Sequence, residues 1–230
     1  METTVVQGVR ARARAALTAE IKAAAKRQVA ASGAASLSVR AVARELGMVS
    51  SGVYRYYPSR DDLLTALIVD AYNDVGELAE GAAAGSAPFV ARWVAMAGAI
   101  RGWALAYPHD YALVYGSPVP GYRAPETTVP AAARVGVVAL QLLDDGVVAG
   151  EVRSDASAQL PARVRTDLDD LRDAAAPHVP DDVLVRGLGA WAQLFGTITL
   201  ELFGHMHNVI HDYDAFFDTQ MRAAAARVAG

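Results

Sequence analysis

Between Leu37 and Pro58 the chain offers two helices, each too short to be stable alone, and no other stretch limits the fold as much. Ser38 is suited to cap the first, over which Val39, Val42, Ala43 and Leu46 form one apolar stripe before Gly47 supplies a turn. Ser50 and Ser51 offer alternative caps for Gly52-Val53-Tyr54-Arg55-Tyr56-Tyr57, and Pro58 stops that helix almost as soon as it forms. Isolated helices below about 12 residues are marginal in water, so both need a wall to pack on. The spacing predicts one from about Arg14 to Ala31, where Leu17, Ile21, Ala24, Ala25 and Val29 share a face opposite Glu20, Lys22, Lys26 and Arg27, and Gly33 ends it. Val39, Val42 and Leu46 should then bury against Leu17, Ile21 and Val29, with Val53 as the inward anchor of the third helix.

That arrangement leaves Ser50, Ser51, Gly52, Tyr54, Arg55 and Tyr56 facing outward. Two short helices joined by a glycine-containing turn place the second in a DNA major groove, although such pairs also serve as docking modules. The outward residues suit a groove: hydroxyls for bases or phosphates, Gly52 for close approach, tyrosines for backbone or thymine methyls, and Arg55 for phosphate or guanine. Arg55 has a plainer reading as a salt bridge to an acid of the fourth helix, and Tyr56 as a core aromatic. Free N–H groups at the start of the second helix, with Ser38 and Arg40, form a candidate phosphate clamp, and Arg60 is a second candidate at the start of the next helix. Arg10, Arg12 and Arg14 alternate along an N-terminal arm read as flexible and suited to DNA contact or to solvation. Charge divides the same way: residues 1–60 hold ten Lys or Arg against three Asp or Glu, net +7, and residues 61–230 hold 11 against 22, net −11. A basic head gains by displacing counterions from phosphate, whereas an acidic body does not wrap nucleic acid.

The remaining pattern is helical, and the fold class expected is all-α: a three-helix head at 1–60, then an antiparallel helical domain at 61–230 for ligand binding and dimerisation, joined by a helix over about 59–80. Further helices are predicted near 87–107, 127–146, 157–175, 181–209 and 213–228, with a break at Tyr107-Pro108 and a Pro-rich connection from Ser117 to Pro130. Trp93, Met96, Ile100, Trp103, Tyr107, Tyr111, Tyr115 and Leu142 are candidates to line an apolar pocket, with Tyr111, Tyr115 or Arg101 as polar handles; filling a solid core is the alternative. Trp191, Leu194, Phe195, Ile198, Leu202 and Phe203 crowd one helix and are candidates for a homodimer seam.

Catalysis is the competing class. The chain has no cysteine, which removes thiolate chemistry and Cys-ligated metals, and it has neither a glycine-rich phosphate loop nor a paired-histidine zinc motif. Glu201 and His205 share a predicted helix face by their spacing, for which a structural hydrogen bond outweighs a metal or catalytic role. No cofactor is implied. The most apolar stretch, Val183 to Ile210, is interrupted by Arg186, Glu201 and two histidines, so the expectation is a cytoplasmic protein with no membrane partner.

The run Leu37 to Gly47, then Val53-Tyr54-Arg55-Tyr56-Tyr57 and Ser59-Arg60-Asp61-Asp62-Leu63-Leu64, resembles the head of the tetracycline-repressor family of bacterial transcriptional regulators across roughly residues 14–68. The resemblance implies a homodimer in which Ser38, Arg40, Ser50, Ser51, Tyr54, Tyr56 and Arg60 meet double-stranded operator DNA, most often as a repressor released by a small hydrophobic or aromatic effector. Tyr57 stands where phenylalanine is usual and Arg60 where lysine is usual. Residues 107–115 and 191–204 are similar to a subgroup with tryptophan, histidine and glycine signatures, except that Phe195 occupies its histidine position.

Overall fold

The structure, a computed structural model, describes residues 2–155 and 160–230. Within these it is helical: α1 (Glu2–Ser32), α2 (Val39–Glu45), α3 (Ser50–Tyr54), α4 (Arg60–Ala83), α5 (Phe89–Ala106), α6 (Pro108–Tyr115), α7 (Val129–Val148), α8 (Ala162–Ala175), α9 (Asp181–Leu202) and α10 (Tyr213–Ala229). Single 3-10 turns occupy Ala34–Ser36 and Glu126–Thr128. Two compact units emerge: residues up to Ala71 with His109–Val129, and Tyr72–Pro108 with the residues from Pro130 onward. The chain thus divides within α4, and α6 with its Pro-rich connection belongs to the first unit, whereas the sequence placed one boundary at residue 60.

In the first unit Ile21, Ala24, Ala25 and Val29 of α1 are buried, as are Val39, Val42 and Ala43 of α2, Val53 of α3, and Leu63, Leu64, Leu67 and Ile68 of α4. Leu17 and Leu46, expected inside, are only half-buried. Ser38 caps α2 by accepting from the Ala41 N–H at 3.4 Å. For α3 the cap position is Val49, without a side-chain cap bond, so Ser50 and Ser51 are helical residues rather than caps. At α4 the Asp62 N–H donates to Ser59 Oγ at 3.0 Å while that hydroxyl donates to Asp62 Oδ2 at 2.7 Å, which fixes the helix start. Lys22 pairs with Asp70 at 2.6 Å and Lys26 with Asp110 at 2.7 Å, tying α1 to α4 and α6; Tyr122 and Thr65 share a hydroxyl bond of 2.9 Å.

Three helix boundaries differ from expectation for identifiable reasons. Instead of a flexible arm before Arg14, α1 is continuous from Glu2, as a stretch without proline permits. Pro108 is the first residue of α6 rather than the start of a non-helical stretch, since the first turn does not need its missing N–H. And α9 stops at Leu202, not residue 209: Gly204 takes φ 74°, the His205 N–H returns to Leu200 O at 2.9 Å, and the Gly204 N–H to Glu201 O at 3.1 Å, closing a Schellman cap. Residues 157–159 of the predicted eighth helix lie outside the described residues.

The second unit is built on α5, whose Phe89, Trp93, Met96, Ala97, Ile100, Trp103 and Ala104 are buried, with α9 and α10 packed against it. By length and composition α9 could cross a membrane, yet Val183, Leu184, Ala190, Leu194 and Ile198 supply core on its inner face. Arg134 of α7 donates to both Glu80 oxygens at 2.7 Å and to Asn73 O and Oδ1 at 3.0 Å, clamping α7 on the second half of α4. The helices approach so closely there that a Cβ on Gly76 would lie 2.9 Å from Arg134 Cβ. Arg101 of α5 makes a bidentate bond to Glu201 of α9, at 2.8 and 2.7 Å, and a 2.7 Å bond to Asp214 of α10.

Both Arg101 and Glu201 side chains are nearly buried, 12% and 10% exposed, so each charge depends on the other. Arg101→Ala should lower stability by about 3 kcal/mol by stranding the carboxylate, and Arg101→Met with Glu201→Leu should recover most of the loss. Urea midpoints of the three proteins test this; a double variant as unstable as the single one contradicts it.

Candidate nucleic-acid interface

α3 is positioned by one contact point. Val53 is fully buried, which turns the opposite side of this five-residue helix to solvent: Ser51, Tyr54 and Arg55 are exposed, and Ser50, Gly52 and Tyr56 partly so. Arg55 makes no ion pair among the described residues, so it is not tied to the acids of α4. Tyr56 is held differently from its neighbours, because the Arg14 guanidinium lies 4.9 Å from its ring centroid, which places Arg14 beside the residues that follow α3. Arg12 is exposed on the same helix.

Ser38 has its backbone N–H on Gln28 Oε1 at 2.8 Å and its hydroxyl at the α2 cap, with Arg40 exposed beside it. Arg60 has partners within the first unit. Its Nη2 donates to Ala34 O at 2.9 Å and Ala35 O at 3.3 Å, and its Nη1 to Asp61 at 2.9 Å, so the guanidinium ties the first turn of α4 to the 3-10 turn after α1. Two candidates escaped the sequence reading. Arg44 is exposed four residues after Arg40, a spacing that puts both on one face of α2, and Val49, 74% exposed before α3, offers an apolar group to a thymine methyl.

The expected pocket residues are divided between the two units. Met96, Ile100, Trp103 and Leu142 are buried core of the second unit, Tyr107 is 56% exposed, and Tyr111 and Tyr115 belong to the first unit, where their rings lie 5.3 Å apart. Arg101 is committed to Glu201 and Asp214 and is no handle for a ligand. Of the eight only Trp93 lines the cavity found in the second unit, with Gly136, Ala139, Leu140, Leu143, Leu171, Leu184, Gly187, Leu188 and Trp191. Periodicity alone marks α9 as a seam and does not reveal this cavity.

On α9 the seam residues also divide. Leu194 and Ile198 are fully buried within the chain, because α5 and α10 already cover that face; Trp191, Phe195 and Leu202 are half-buried, and Phe203 is exposed. Open to solvent instead are Val185, Leu188, Ala192 and Leu200, which continue to Phe203 along one stripe. Glu201 pairs with Arg101, and His205 lies past the helix end, so their shared face does not exist. Among the described residues no group of acids and histidines could hold a metal ion.

A basic head whose short third helix is anchored from below and exposed above, followed by a helical domain, defines a helix-turn-helix DNA-binding protein. Family comparison agrees over both parts: residues 21–67 match the model of bacterial regulatory proteins of the tetR family, and residues 93–224 the tetracyclin repressor-like C-terminal domain. The chain is 39% identical over 229 residues to the HTH-type transcriptional regulators Rv1816 of Mycobacterium tuberculosis and Mb1846 of Mycobacterium bovis, with 96% of each chain covered. Among solved structures, SCO4313 superposes with a TM-score of 0.75 at 34% identity, covering 93% of this chain and 97% of that one. A tetR-family regulatory protein from Rhodococcus RHA1, at 17% identity and TM-score 0.64 over 92% of this chain and 96% of its own, shares the fold. The chain belongs to the tetracycline-repressor family, and it is a DNA-binding transcriptional regulator.

The geometry separates two kinds of arginine. Arg40→Ala or Arg55→Ala should reduce the salt dependence of DNA binding by about one unit of slope, the loss of one phosphate contact. Arg60→Ala should instead lower the stability of the protein by about 1 kcal/mol through its lost carbonyl bonds. Titrations at several salt concentrations beside thermal unfolding distinguish them; an unchanged Tm for the Arg60 variant contradicts its assignment.

Proposed function

We propose that the chain works as a homodimer that reads a palindromic operator in the cytoplasm, one α3 per half-site, and represses until a small hydrophobic molecule releases it. The observation that carries the DNA-reading part is the buried Val53 beneath exposed Ser51, Tyr54 and Arg55, with Arg40 and Ser38 beside them at the start of α2. Two-fold protein symmetry maps onto two-fold operator symmetry, so half-sites should lie about one helical turn apart or a multiple of it. Tyr54→Ala is expected to weaken operator binding by about 1 to 3 kcal/mol, the range for a good base or backbone contact. Selection from random duplexes tests the symmetry: enrichment of a palindrome supports it, and enrichment of no symmetric sequence overturns it.

The dimer reading rests on α9. Val185, Leu188, Ala192, Leu200 and Phe203 form an uncharged exposed line, and Gly189 and Gly196 beside it have open space above them, so a second helix can approach closely. Such a stripe is costly in water and is satisfied by an isologous partner. Leu188→Glu with Leu200→Glu should give a 24.2 kDa monomer in light scattering where the wild type gives a dimer. A wild type that is monomeric at micromolar concentration removes this reading.

Release requires a ligand that favours one state of the protein over the other. The support is the Arg134 clamp: α7 holds α4 at Asn73 and Glu80, and α4 continues without a break to Arg60. Hydrogen bonding to Arg134 keeps the Glu80 carboxylate below its usual pKa despite some burial, so this clamp persists at neutral pH and is lost as pH falls through that lowered value. Arg134→Ala should leave operator binding within about threefold while reducing ligand-driven release by at least tenfold. Full release by the variant excludes α7–α4 coupling.

A further inference from the structure

The cavity of the second unit is walled by α5, α7, α8 and α9 and has a volume of about 230 Å³. Its lining consists of leucine, alanine, glycine and the indoles of Trp93 and Trp191, with no charged side chain, hydroxyl or amide. An ion entering such a wall loses its hydration and gains only the faces of two indoles or the Trp93 N–H, which is buried without an acceptor, too little to offset a desolvation cost of several kcal/mol. An apolar cavity of about 150 Å³ admits benzene, so one of 230 Å³ accommodates about nine or ten carbon atoms.

Gly136 supplies an independent observation. It sits within α7, where glycine costs helix stability relative to alanine, and packing does not demand it: an added Cβ would meet only Trp191 Cη2, at 4.0 Å, in ordinary contact. Gly187 across the cavity differs, since a Cβ there would lie 2.5 Å from Leu143 Cδ1 and the leucine would have to shift. What a side chain at position 136 would take away is space in the cavity. Leu188, 45% exposed, lies both on the lining and on the apolar stripe of α9, which puts the cavity beside that stripe.

We propose that this cavity is a binding site for an uncharged, compact apolar molecule of bicyclic-aromatic size, seated between Trp93 and Trp191, and that Gly136 keeps it open. The site deepens the reading of a ligand-released regulator and rests on it for its regulatory meaning, while the chemistry of the cavity stands by itself.

Three probes of one shape test it by equilibrium dialysis on the full-length protein: 1-methylnaphthalene, 1-naphthoate and 1-naphthylmethylammonium. The neutral probe should bind one per chain and the two ions at least a hundredfold more weakly. Gly136→Leu should lose the neutral probe by tenfold or more, with operator binding retained. Gly136→Ala guards against misfolding of the larger variant: it should raise the Tm of the free protein and shrink the Tm gain given by 1-methylnaphthalene. Equal binding of neutral and charged probes, unchanged binding by both variants, or no binding of the neutral probe, the result expected if a second copy's side chains fill the cavity, each overturns the proposal. Operator titration with 1-methylnaphthalene present separates the two readings, because selective binding with unaltered operator affinity leaves the site in place and sinks release through it.

Discussion

The burial of Val53 holds α3 in place, and the surface proposed to read DNA depends on it. A helix of five residues has almost no internal hydrogen bonding, and α3 lacks even a side-chain cap, so its orientation is set by what its inner side touches. Ile21, Ala24 and Ala25 of α1 and Val39, Val42 and Ala43 of α2 provide a core of small residues that lets three helices approach closely. Once Val53 is inside, Ser51, Tyr54 and Arg55 must face out. Basic residues then gather around them because few acids share this part of the chain, and the Arg14 guanidinium on the Tyr56 ring lies beside the residues that follow α3.

The second unit solves a different problem. Its helices are apolar over more of their circumference than one core requires, and the excess appears in two places: the exposed line of α9 and the cavity between α5, α7, α8 and α9. Three arginines act as clamps. Arg101 fastens α5 to α9 and α10, Arg134 fastens α7 to α4, and Arg186 donates to the backbone oxygens of Arg153 and Arg227 near the end of α10. Each is an arginine whose planar fork meets carboxylates or carbonyls, and none of the three faces the cavity.

Much of this was legible in the sequence. The short helices, the Val53 anchor and the outward set on α3 follow from periodicity, Gly47 and Pro58, local signals that tertiary structure had no reason to override. Less legible was anything set by a distant partner. The bonds of Arg60 to the Ala34 and Ala35 carbonyls have no local signal, and Glu201 reads as a neighbour of His205 until Arg101 arrives from a hundred residues away. Leu194 and Ile198 cannot be told from Leu188 and Leu200 by hydrophobicity; only the packing of α5 and α10 distinguishes covered from open. The cavity was hidden for the same reason, since most of its wall is leucine, alanine and glycine, which carry no sequence signature of a site.

The central claim, that α3 is the element that enters the operator and does so twice per symmetric site, has a direct test because the chain contains no cysteine. Ser51→Cys would give a single thiol on the exposed side of α3, and an iron chelate attached there cleaves the DNA nearest to it. Asp170→Cys, exposed on α8 of the second unit, carries the same chelate as a control. The account predicts two cleavage clusters related by the operator dyad, about one helical turn apart or a multiple of it, from the label at position 51 and none from position 170. A single cluster, or cleavage from position 170 equal to that from position 51, would contradict it.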